Sequence, residues 1–175
     1  MDLSARLKPV LVRVANQPSL LSFCVFLFLA VVATFPAVVK ISSALIGTPE
    51  GDSYEMMWLI WWLRRALFDG GLSATNIPVL LHPEGLSFPL LRTQMGAQLL
   101  SLPVAFLASP TTAFNLTMIA SLALSGLTAY WLGVALTGSR LAGALCGLVW
   151  AFFPNKMGHA LGGHLYQVAV FWLPL

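Results

Sequence analysis

Between residues 93 and 139 the chain carries no charged side chain. As one continuous helix that stretch would run about 70 Å, more than twice the roughly 30 Å of a bilayer's hydrocarbon core. It must therefore be divided, and Ser109-Pro110-Thr111-Thr112 is where it breaks. A soluble fold could bury such a run only beneath a large polar shell. Of the 175 residues, 58% are hydrophobic and only 9% are charged, against about 25% charged in a typical soluble domain. The chain reads as an all-α integral membrane protein. Disorder, a collagen-like fibre and a secreted disulfide scaffold are excluded. The net charge of +3 comes from basic groups scattered between apolar runs, which is no nucleic-acid footprint. Cys24 and Cys146 lie in apolar runs and read as small buried hydrophobes.

The apolar runs set the spans. Arg6, Lys8 and Arg13 precede an uncharged stretch from 14 to 39, and the first span is placed at 19–46, with Lys40 snorkelling at its far end. The basic N-terminus favours the cytoplasm, so the segment after the first span lies outside. A second span covers 112–137. Gly138-Ser139-Arg140 makes a tight turn into a short third span at 141–154, which Arg140 and Lys156 extend. Residues 154–163 read as a loop, and another helix starts within 165–175. It is too short to span, so the chain is expected to be a fragment of a longer protein. A stop after residue 175 would instead require a membrane protein partner to cover its end. The expected architecture is a polytopic helical bundle, one transmembrane domain over 1–175.

An outer segment at 47–110 separates the first two spans and holds five of the six acidic residues: Glu50, Asp52, Glu55, Asp69 and Glu84. Two interfacial helices are expected in it. The first, 53–69, opens on a capping-box pattern, Asp52 with Glu55, and stops at Gly70-Gly71. Its Trp58, Trp61 and Trp62 are residues of a membrane interface. Prolines 78, 83 and 89 then break a loop that carries His82. The second helix, 94–108, is short and contains Pro103. If it stays outside, Asp52, His82, His159 and His164 share one face; if it crosses, the last two change sides.

Glu50 and Asp52, just beyond the first span, are the candidate catalytic pair: a general base, or carboxylates for a divalent cation. The competing reading makes Asp52 only a helix cap. His159 and His164 are five residues apart, which on a regular helix sets them about 140° from each other. They are therefore no helical zinc pair, and with His82 they are placed at an interfacial binding site. Arg64, Arg65, Arg92 and Lys156 are candidates to hold a lipid phosphate, although each could equally anchor at the headgroups. Asn115-Leu116-Thr117 is formally a glycosylation sequon, discounted because it falls inside the second span.

The order of these features resembles a known family. A basic N-terminus and one span lead to Gly51-Asp52, which opens an outer segment with a Trp-rich surface helix. Paired spans joined by a minimal turn come next, then Phe153-Pro154, Gly158-His159, Gly163-His164 and Trp172-Leu173-Pro174-Leu175. This arrangement is similar to the N-terminal part of polytopic glycosyltransferases of the GT-C class. The resemblance implies a cell-envelope enzyme of the cell membrane that takes a sugar from a polyprenyl-phosphate carrier on the extracytoplasmic side. It implies Asp52 as base or metal ligand, with Glu50 as its nearest acidic neighbour, and it keeps 94–108 outside. The alternative is a non-catalytic membrane subunit or scaffold. A transporter fragment would want ionisable groups at mid-bilayer, and the charge-free spans offer none.

Overall fold

The computed structural model describes residues 19–48, 51–70, 73–74, 76–87 and 95–175. The described residues are mostly helical, with one two-stranded hairpin. They divide into two compact units, one built from residues 19–35, 119–158 and 170–175, the other from 36–118 and 159–169.

The first unit begins with helix α1, Ser19–Ala33. The span expected at 19–46 stops early because Pro36 offers no N–H to carry the helix on and its ring crowds the preceding turn. Helix α4, Pro110–Thr137, belongs to this unit from Ile119 onward. It ends where Gly138 takes φ +73. Helix α5, Arg140–Phe152, begins at once, capped by the Ser139 hydroxyl, which accepts from the Ala142 N–H. Phe26 of α1 lies at the centre of this unit, packed with Ala123, Tyr130 and Val134.

Small residues make that packing possible, as the spacing of Gly126, Gly133, Gly143 and Gly147 predicts. A methyl on Gly133 would stand 2.8 Å from the Gly143 Cα, and one on Gly147 would strike the Phe26 ring. The outward faces are apolar: Leu20, Leu21, Val25, Phe28 and Val32 on α1, and Leu141, Leu145 and Val149 on α5, are exposed. Cys24 and Cys146 are free and also exposed, not buried as their apolar surroundings suggest.

In the second unit, a 3-10 turn at Ala37–Lys40 leads into irregular backbone. One buried side chain organises it. Asn115 accepts from the Ile46 N–H at 2.9 Å and donates to the carbonyls of Ile41 and Ala44 at 2.8 and 2.7 Å. Each lost bond there would leave a buried polar group unpaired, at about 1–3 kcal/mol. The residue that reads as a sequon is a fully buried clamp.

Helix α2, Ser53–Phe68, buries Ser53, Met56, Leu59, Ile60, Trp62 and Leu63, the one-sided spacing of an amphipathic helix. It packs on helix α3, Met95–Leu107, with Phe68 against Phe106 at 5.0 Å between ring centroids. The stretch expected as an irregular loop contains a short hairpin, β1 Asn76–Ile77 paired antiparallel with β2 Leu86–Ser87. Residues 154–163, expected as a loop, instead form helix α6, Pro154–Leu161. Proline at a first helical position loses nothing, because that N–H has no partner in a helix anyway. The helix expected from 165 onward is only the single turn α7, Leu165–Val168.

Candidate functional site

The second unit brings the segment before α2 against the segment after α6. Main-chain bonds do this: the Thr48 N–H donates to the Leu161 carbonyl at 2.7 Å, and the Asp52 N–H to the Gly162 carbonyl at 2.8 Å. The approach is close enough to require glycine. A methyl on Gly51 would overlap the Gly162 carbonyl, and one on Gly163 would overlap Ser53. Gly163 also takes φ +74, the left-handed region that other residues enter at a cost. That turn reverses the chain beyond the end of α6, so His164 folds back over its last turn.

The result is a chain of three polar side chains. Asp52 precedes α2 at its N-cap position, yet its side chain makes no capping hydrogen bond. Its Oδ2 lies instead 3.2 Å from His164 Nε2, an ion pair when the imidazole is protonated. His164 Nδ1 lies 2.9 Å from His159 Nδ1, so the two rings share a hydrogen bond. The His164 N–H also donates to the His159 carbonyl at 2.9 Å. The side chains of Asp52 and His164 are 45% and 30% exposed, so an incoming group can reach the carboxylate.

At the start of α2 lies a cleft of about 470 Å³ lined by Ser43, Thr48, Ser53, Tyr54 and Thr111 among other residues, Asp52 not among them. None of its lining residues is charged; Ala44, Leu45, Gly47 and Met57 complete the lining, and the Ser53 hydroxyl is buried and donates to the Ile46 carbonyl.

The other candidates go elsewhere. Arg65 pairs with Asp69 at 3.2 Å and lies over the Trp61 ring, the ordinary surface use of such a residue. Arg64 is half-buried on α2, and His82 is exposed on the hairpin turn. Lys156 belongs to the first unit and is buried there. Its Nζ donates to the Ser125 hydroxyl at 2.9 Å and stands 4.9 Å from the centroid of the Trp150 ring. Burial lowers its pKa to about 8. Glu50 and Arg92 lie outside the described residues.

Among the described residues no group of three or more His, Cys, Asp or Glu side chains could hold a metal ion. Asp52 is paired, among the described residues, with one such side chain, His164, whose other nitrogen is taken by His159. The pairing of His159 with His164 is not legible in their spacing, since it depends on the glycine turn between them. Asn115 gives no signal beyond the misleading sequon. Comparison with known protein families, curated proteins and solved structures finds no match to this chain.

Proposed function

We propose that the chain carries the acid–base centre of a polytopic membrane glycosyltransferase of the GT-C type, which moves a sugar from a polyprenyl-phosphate carrier to an acceptor hydroxyl on the extracytoplasmic side. The observation that carries this reading is the state of Asp52. It stands at a helix start, released from capping, partly exposed, and paired with an imidazole. A carboxylate held this way accepts a proton from an acceptor hydroxyl. The oxygen then attacks the anomeric carbon, and the bond from that carbon to the lipid phosphate breaks. Such a base contributes about 10²–10⁴-fold in rate. The uncharged cleft at the start of α2, with the hydroxyl residues Ser43, Thr48, Tyr54 and Thr111 in a partly apolar lining, suits a sugar ring, which asks for hydrogen-bond partners without charge and an apolar face to lie on.

Membrane placement rests on two supports. Helix α4 is long and apolar enough to cross a bilayer. The shorter α1 and α5 expose apolar faces that water would disfavour and lipid would not.

The test is transfer from undecaprenyl phosphate carrying a radiolabelled hexose or pentose, with the full-length protein in nanodiscs. Activity that Asp52→Asn abolishes supports the reading. No transfer from any carrier in the panel, or full activity in Asp52→Asn, overturns it. The second reading, a non-catalytic membrane subunit, is favoured by the main-chain bonds at Thr48 and Asp52, since a structural joint needs nothing more. On that reading Asp52→Asn changes neither activity nor assembly.

A further inference from the structure

The contact between the two histidines constrains where their protons sit. Two ring nitrogens 2.9 Å apart hold one proton between them. Two bare lone pairs facing each other repel, and two N–H groups facing each other clash. The rings therefore take unlike roles at this contact. The far side of His164 favours one of the two choices, and the His159 contact holds it. Its Nε2 faces the Asp52 carboxylate oxygen at 3.2 Å, and a negative oxygen there stabilises a proton on Nε2. A neutral imidazole has one N–H. With that N–H on Nε2, Nδ1 of His164 is the acceptor, and the shared proton belongs to His159.

We propose that His159 is a positioning residue: its Nδ1–H donates to His164 Nδ1, which keeps the His164 proton on Nε2, toward Asp52. This rests on the reading of Asp52 as a base. The side-chain contact of His159 is with His164 and not with Asp52, so on this proposal its effect belongs on turnover and not on substrate affinity. Among the described residues Tyr166, whose ring is 6.3 Å from that of His164, is a further titratable group beside the pair. The backbone bond from the His164 N–H to the His159 carbonyl persists whatever side chain stands at 159, so the two residues stay adjacent in variants.

The experiment is ¹⁵N solid-state NMR of histidine-labelled full chain in nanodiscs. His82→Gln removes the third histidine signal. We expect His164 protonated on Nε2, His159 protonated on Nδ1, and a nitrogen–nitrogen coupling across the shared proton. In His159→Leu the His164 signals should become a mixture of tautomers. In His159→Asn, whose amide can supply the missing N–H, the Nε2 form should return. With undecaprenyl phosphate–hexose or –pentose as donor, His159→Leu should lower kcat by about 10-fold to 10⁴-fold with KM little changed, and His159→Asn should recover most of it.

Both rings protonated on Nε2 in the wild type, or His164 signals unaltered in His159→Leu, overturns the proposal. Failure of the glycosyltransferase reading looks different: the tautomers and coupling appear as described, but no donor in the panel is used. An active enzyme whose kcat ignores His159→Leu keeps the catalytic reading and removes His159 from it.

Discussion

Asp52 Oδ2 and His164 Nε2 stand 3.2 Å apart, joining the residue that begins α2 to the residue just past the turn after α6. Because the carboxylate faces the imidazole and not the helix N–H groups, charge and capping can be separated by mutation.

In a His164→Ala background, where no imidazole bond is left to lose, Asp52→Asn and Asp52→Ala should therefore have the same thermal stability within error. A capping aspartate would cost about 1 kcal/mol when replaced by Ala and far less when replaced by Asn. Differential scanning fluorimetry of both variants in detergent checks this. A clear drop for Ala alone would restore the capping role.

Two glycines near the site should respond with opposite signs. Gly163→Ala places a methyl onto Ser53 in a left-handed backbone and should destabilise by about 1–3 kcal/mol. Gly158 lies within α6 with open space around it. Gly158→Ala should stabilise by about 0.5–1 kcal/mol, because a helix favours alanine. Melting temperatures of the two variants decide it, and equal shifts would be against the close approach at Gly163.

Leucine at Gly143 or Gly147 should lower the melting temperature strongly. At Gly143 the new side chain meets the Tyr130 carbonyl, and at Gly147 it meets Phe26 and the Gly126 carbonyl. An unchanged melting profile would mean that these glycines face lipid.

Lys156 should make stability depend on pH. It sits on α6, outside the proposed spans, and burial lowers its pKa from 10.5 to about 8. Between those values the unfolded chain holds a proton that the folded chain has released. Stability contributed by this group should thus be flat below about pH 8, rise toward pH 10.5, and level off above. The slope should vanish in Lys156→Met, which also removes the cost of burying a cation. A melting temperature equally pH-dependent in Lys156→Met would assign the slope to other groups.

Single cysteines at 52, 82 and 159, in a background lacking Cys24 and Cys146, should all react with an impermeant thiol reagent added from outside the cell. Positions 52 and 159 are both tied to His164, so they must share a compartment. Labelling of 52 with protection of 159 would contradict the proposed topology.

Much of the helical framework is readable because composition speaks directly to it. The helix opening at Asp52, the break at Ser109-Pro110 and the turn at Gly138 all have local causes, and α2, α4 and α5 lie close to where those causes put them. The departures share a different origin. Hydropathy places Pro36 inside a span because the run around it is apolar, yet backbone geometry overrides hydropathy there. Pro154 reads as a breaker by residue type, whereas its place at a helix start makes it an initiator. The site is half legible: Asp52 stands out by its acidic neighbourhood, while its partner His164 depends on a reversal at Gly163 that no local pattern announces.

The peptide groups of Thr48, Asp52, Leu161 and Gly162 hold this corner of the molecule together, not their side chains. A frame written in main-chain atoms is indifferent to what is mounted on it. Residues 48, 52 and 164 can be varied together as a combinatorial library, with the glycines left alone, and the members should keep the same spatial template. Divergence in such a protein can proceed by exchanging functional groups at fixed coordinates, without first having to invent a new loop.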